Sequence, residues 1–119
     1  MSLVLAIDFD GTIVESKYPL IGKLKKDAKI YINLLYRQGH QIVINTCRSG
    51  VYQEEVKRFL EENKISFSYI NENLPELIKR YKQDCRKISA DIYIDDKCLM
   101  GLPKTWGEIY RLINLKDKK

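Results

Sequence analysis

Cysteine is scarce in this chain, with three in 119 residues. Cys47, Cys85 and Cys98 form no CxxC pair, and an odd number cannot all pair with one another. A disulfide scaffold is thereby excluded, and reduced thiols are expected. The single histidine, His40, falls in a Gly39-His40 turn, where an exposed side chain without a role is expected. No apolar run approaches the roughly 20 residues needed to cross a bilayer. Met1-Ser2-Leu3 runs straight into an apolar strand, leaving no room for a signal peptide, so a cytoplasmic protein without membrane contact is expected. There is also no concentrated basic stripe of the kind a nucleic-acid partner requires, although the formal charge is +5. Many of the lysines fall on helix faces or in the tail, and steering of a phosphorylated small molecule fits the same charge. Repeats, linkers and low-complexity segments are absent.

What remains is the composition of an ordinary soluble domain, 45% hydrophobic and 31% charged. One domain of this length buries roughly two-thirds of the surface of its unfolded chain. Residues 1–115 are expected to form it, with 116–119 as a basic tail.

Leu3-Val4-Leu5-Ala6-Ile7 reads as a buried strand that stops at Asp8, and Asp8-Phe9-Asp10-Gly11-Thr12 follows. A carboxylate pair costs several kcal/mol in a mostly apolar setting unless something neutralises it. A hard cation such as Mg²⁺ prefers oxygen ligands and suits the position. After a loop from Glu15 to Ile21, the spacing of Leu24, Ala28, Tyr31, Ile32 and Leu35 predicts an amphipathic helix ending at Gly39. Gln41 to Thr46 is a second strand ending in polar residues. Cys47-Arg48-Ser49-Gly50 turns into a helix with Val51, Val56, Phe59 and Leu60 as its apolar side and Asn63 as its stop. Ile65 to Ile70 alternates as a third strand. Asn73, Pro75 and Glu76 have the pattern of a capped helix start, continued by Leu77, Ile78 and Tyr81. Asp91 to Ile94 is a fourth strand, stopping at Asp95-Asp96, and Thr105-Trp106-Gly107-Glu108 has capping-box spacing for a closing helix.

The order βαβαβαβα implies an α/β fold, a Rossmann-like parallel sheet with helices on both faces. Ligands of such sheets bind beyond the carboxyl ends of the strands. Asp8, Thr46 and Asp95 all stand at such ends. Converging there, Asp8, Asp95 and Asp96 make a site for one Mg²⁺, and an aspartate oxygen is a known nucleophile toward phosphorus. Asp10 is placed for proton transfer, provided that its environment differs from that of Asp8. Thr46 and the backbone N–H groups around Asp10 and Gly11 are donors for phosphoryl oxygens. Arg48 suits a leaving group or a second anion, and a surface salt bridge equally. Lys79, Lys82 and Lys87 are the candidate point charges, and Cys47 has no expected role.

Asp8-Phe9-Asp10-Gly11-Thr12 resembles motif I of the haloacid dehalogenase superfamily of phosphohydrolases. Ile42 to Thr46 resembles its motif II, and Ile92 to Asp96 its motif IV. The three stand in the right order and span nearly the whole chain. The resemblance implies that Asp8 is the nucleophile. It makes Asp10 the general acid/base, whose backbone carbonyl also meets Mg²⁺, and Thr46 the phosphoryl-binding hydroxyl. Asp95 and Asp96 would complete the metal site, and in Arg86-Lys87-Ile88 Lys87, with Arg86 as the alternative, would be the motif III cation. The stretches between motifs have no room for a cap domain. This resembles the capless branch, whose members act on large substrates or borrow a cap from a partner subunit, so an open site and a homo-oligomer with a shared pocket both fit.

The leading expectation is a Mg²⁺-dependent phosphatase working through an aspartyl-phosphate on a small-molecule or macromolecular substrate. A receiver domain of a response regulator uses similar residues in another order, with its phosphorylated aspartate after the third strand; here that strand ends at Asn71. A catalytically idle phosphate-binding module of the same fold is one alternative. A nucleic-acid end-processing phosphatase, joining the open site to the positive charge, is another.

Overall fold

The computed structural model describes residues 2–118. Its central sheet has four parallel strands in the order β5-β4-β1-β6, where β1 is Val4–Ile7, β4 is Gln41–Ile44, β5 is Tyr69–Ile70 and β6 is Ile92–Ile94. In register, Leu5 lies opposite Ile42 on one side and Ile92 on the other. The sheet is Rossmann-like and carries no cap domain.

Side chains alternate across a strand, so one sheet gives two cores. Leu5, Ile7, Ile42 and Ile44 face one way and pack with Ala28, Ile32 and Leu35 of helix α1 (Ala28–Arg37), Val56 and Leu60 of α2 (Gly50–Glu62), and Trp106, Ile109 and Ile113 of α4 (Trp106–Asp117). Ala6 and Val43 face the other way, against Leu74 and Ile88, with Leu77 of α3 (Pro75–Tyr81) packed beside them. Both faces are covered, the second by one short helix and the irregular segment after it.

Several local expectations change on folding. The stretch after Val14 is an antiparallel hairpin, β2 (Val14–Lys17) and β3 (Leu20–Leu24), turning at Tyr18-Pro19. Its register shifts between Val14 and Ser16, and a Cβ on Gly22 would fall 2.0 Å from the Glu15 carbonyl oxygen, so the irregularity needs glycine there. Leu24 therefore belongs to a strand, and α1 starts four residues later. The third strand contracts to two residues. Val51 stands exposed at the start of α2.

Asn73 does not cap α3. Its amide donates to Asp84 Oδ1 and the Cys85 carbonyl and accepts from Ser89 N–H, bracing the segment that returns to β6. Thr105 does cap α4, accepting from Glu108 N–H at 3.1 Å, while the Glu108 carboxylate turns to Arg111 instead of back to the cap. Of the expected tail at 116–119, Lys116 and Asp117 belong to α4, Lys118 ends it, and Lys119 lies outside the described residues. His40 is buried, only 2% exposed, and its Nδ1 accepts the Leu3 N–H at 3.1 Å while Nε2 lies 3.9 Å from Asp117 Oδ2. The histidine thus joins the entry to β1 to the last helix. No described helix is long and apolar enough to cross a membrane.

A candidate metal and phosphate site at the strand ends

The carboxyl ends of β1, β4 and β6 bring the acidic residues together. Asp8 N–H donates to the Ile94 carbonyl at 2.9 Å, and Asn45 N–H donates to the Ile7 carbonyl at 2.8 Å, so the ladder runs one residue past each strand. One oxygen from each of Asp8, Asp95 and Asp96 lies within 4.8 Å of the others. A cavity of about 400 Å³ opens over them and reaches Asp10, Thr46, Arg48, Lys97 and Tyr18.

Thr12 ties the cluster together. Its hydroxyl donates to Asp8 Oδ2 at 2.9 Å and accepts from Asp96 N–H at 3.1 Å, and its carbonyl accepts from the Trp106 indole at 3.1 Å. Gly11, at φ +88°, lets the turn press against Asp96, since a Cβ there would fall 2.2 Å from Asp96 Oδ2. Lys25 Nζ donates to the Gly11 carbonyl and holds the turn from behind.

The electrostatics leave this cluster short of positive charge. Burial pushes the Asp8 carboxyl up to about 7, and the Asp95 and Asp96 carboxylates add to the effect while the Thr12 hydroxyl opposes it. Asp96 Oδ1 is buried without a hydrogen-bond partner among the described residues. Such an oxygen is costly to leave unsatisfied. Three converging carboxylates with one orphaned oxygen fit a hard divalent cation, and Mg²⁺ among such ions binds through a few carboxylates and substrate phosphate.

Asp10, two residues on, is held differently. Arg48 grips it with two bonds, Nε to Oδ2 at 2.7 Å and Nη2 to Oδ1 at 2.8 Å. The same guanidinium donates to the Pro19 carbonyl at 3.0 Å and the Leu20 carbonyl at 2.9 Å, and is itself only 3% exposed. The hydrogen bond to Asp10 holds Arg48 even more firmly in its charged form. Of the two roles the sequence offered Arg48, the ion pair is the one formed in this structure, buried and not at the surface; its donors fasten Asp10 to the hairpin tip. Asp10's side chain stands outside the three-carboxylate group, which leaves its backbone carbonyl as the atom the resemblance assigns to a metal.

Thr46 reaches the cavity as expected. Its Oγ1 accepts Arg48 N–H at 3.2 Å, leaving the hydroxyl proton for an incoming oxygen. Asn71, at the end of β5, positions that loop: it accepts Thr46 N–H at 2.8 Å and donates to the Arg48 carbonyl. Lys87 is not brought to the site. It is exposed, ahead of β6, with its ammonium 4.8 Å from the centre of the Tyr93 ring. Lys97 lines the cavity in its place. Of the residues given no role from the sequence, Lys97 had a signal in its adjacency to Asp95-Asp96 and Thr12 in its place at the end of the Asp8-to-Thr12 motif; Asn71 had only its position after a strand, and Lys25 had none.

No protein-family model and no curated protein matches the chain. Among solved structures, a conserved protein from Bacteroides thetaiotaomicron is similar throughout, with a TM-score of 0.88 and 34% identity over 98% of this chain and 93% of that one. The chain belongs to that protein's family. The α/β architecture is shared with that protein over the matched length.

Proposed function

We propose that the chain is a Mg²⁺-dependent phosphohydrolase of haloacid dehalogenase type. The observation that carries this reading is the convergence of Asp8, Asp95 and Asp96 around a buried, unpartnered Asp96 Oδ1. When bound by those three residues, Mg²⁺ would neutralise their mutual repulsion and that of an incoming phosphoryl group.

The Thr12 hydroxyl holds Asp8 by Oδ2, which fixes the carboxylate and leaves Oδ1 to attack phosphorus. A P–O bond forms to Asp8, the P–O bond to the leaving group breaks, and Asp10 supplies the leaving oxygen with a proton. Asp10 then takes a proton from water as the water oxygen attacks phosphorus, releasing phosphate and free Asp8. The Thr46 hydroxyl is a donor for the phosphoryl oxygens, whereas the Gly11 and Thr12 N–H groups are already committed to the Val14 and Phe9 carbonyls. Because Arg48 donates to both Asp10 oxygens, it must release one of them and Asp10 must take up a proton from solvent before it can supply the leaving oxygen. Purified protein supplied with an aryl phosphate is expected to release phosphate with Mg²⁺ and to stop with excess chelator. No release from a broad panel of phosphoesters, by folded protein, overturns the reading.

The same Arg48 grip favours a second reading, a module that binds phosphate or phosphorylates Asp8 without completing turnover. An aspartyl-phosphate that persists for hours after exposure to a phosphoryl donor would support it over the first.

A further inference from the structure

We propose that the segment from Lys79 to Lys87 is a docking surface for single-stranded nucleic acid, separate from the strand-end cavity and independent of the phosphohydrolase reading. It holds five of the chain's 21 cations, Lys79, Arg80, Lys82, Arg86 and Lys87, and one of its 16 acids, Asp84. The segment therefore carries a net +4 of the chain's +5, and the rest of the chain is nearly balanced. Every residue in it is exposed. None of the five cations is ion-paired to a carboxylate among the described residues. None of them lines the cavity over Asp8, Asp95 and Asp96.

Folding gathers what the sequence divides between a helix and a loop. Lys79 and Arg80 stand in the last turn of α3, and Lys82, at φ +59°, ends it. The chain then doubles back, because the Asn73 side chain, just ahead of α3, bonds to Asp84 Oδ1, the Cys85 carbonyl and the Ser89 N–H. Those bonds bracket Arg86 and Lys87 and hold their backbone near the start of the helix. At a rise of about 1.5 Å per residue, α3 sets the two groups of cations about 10 Å apart. Positive charge concentrated over that span matches successive phosphates of one strand.

The partner's chemistry follows from what the segment lacks. A membrane surface takes up apolar side chains together with cations, and residues 79–87 contain no Leu, Ile, Val or Met. The apolar residues of α3 are turned inward: Leu77 packs on the second core and Ile78 is half-buried. The one large ring in the segment is Tyr81, 55% exposed and without an aromatic partner among the described residues. An open ring among cations is the arrangement on which unpaired bases stack.

The test follows the fluorescence anisotropy of a labelled single-stranded RNA of about 20 nucleotides on the full chain. With about four or five phosphates neutralised, affinity is expected to fall about 50- to 100-fold between roughly 50 and 200 mM salt. Lys79→Glu with Arg80→Glu, and Arg86→Glu with Lys87→Glu, should each weaken binding more than about tenfold at the lower salt. Lys23→Glu with Lys26→Glu, an equal charge change on and after β3, should cost less than about threefold. Tyr81→Ala should weaken the single strand about fivefold and a duplex of the same length less than about twofold. Arg80→Gln with Lys87→Gln, a milder pair, should lose about fivefold and stands in for any reversal variant whose melting curve shows that it does not fold. No binding at the lower salt, equal losses from all three reversed pairs, or tighter binding to phosphatidylserine vesicles than to the RNA overturns the inference. Each result is read without turnover, so the phosphohydrolase reading stands or falls separately.

Discussion

Asp8 and Asp10 are separated by one residue and differ in nearly everything else. Asp8 has one hydroxyl donor, two carboxylate neighbours and no ion pair with a described residue, and its carboxyl is pushed up to about 7. Asp10 has a bidentate guanidinium on both oxygens. A carboxylate that already has its cation calls for no further ligand and must be released before it can move a proton. One that lacks it, among two more that lack it, leaves a deficit that a ligand can fill. The sequence motif writes the two residues alike; their surroundings assign them different work.

The largest effect should come from removing the unpaired member. Asp8→Asn keeps the shape and deletes the nucleophile, and phosphate release is expected to fall on the order of 10⁴-fold or more. Asp10→Asn should cost about 10²-fold, the scale of a lost proton donor. Equal losses in the same continuous phosphate assay would erase the distinction.

Breaking the paired member from its other side is a matter of stability. Arg48→Ala strands Asp10 and frees the hairpin tip, and urea unfolding should show a loss of about 3 kcal/mol. Arg48→Lys keeps the charge without the fork and should fall between.

The pH dependence of the metal-free protein sharpens the contrast. Asp8 binds its proton more tightly when folded, at about 7, than at its ordinary 3.8. Its contribution to stability is therefore complete below pH 3.8, declines as pH rises toward 7, and is lost above. The melting temperature of wild type relative to Asp8→Asn should fall across that window, and Mg²⁺ added above pH 7 should restore it. A difference that is flat from pH 4 to 8 would show that Asp8 is not the outlier described.

The smallest effect is expected at the support. Trp106→Phe removes the indole bond to the Thr12 carbonyl while keeping most of the ring, and about 1 kcal/mol of stability should go with it.

What was legible in the sequence was what short range determines. Apolar runs ending in Asp8, Thr46 and Asp95 became neighbouring parallel strands, and the Thr105-to-Glu108 spacing became a cap on α4. The hairpin was not legible, because Glu15, Ser16 and Lys17 are exposed and its two strands bury too little to leave an alternating pattern. Arg48 and Asp10 lie 38 residues apart, and nothing local announces that pairing. His40 looked like a turn residue because the groups that bury it come from the two ends of the chain. Asn73 has a capping residue's chemistry, but three polar groups from 11 to 16 residues downstream claim its side chain first. Lys87 follows the same rule: proximity in sequence to β6 did not bring its ammonium to the rim.

Trp106 has a consequence of a different kind. It is the chain's one tryptophan, and it is buried with its indole on the Thr12 carbonyl, while the Thr12 hydroxyl holds Asp8. All indole emission from this protein therefore originates one residue away from the carboxylates. A cation or phosphate that shifts Asp8 or Asp96 alters the surroundings of that single fluorophore, and occupancy can be followed by light without attaching any dye.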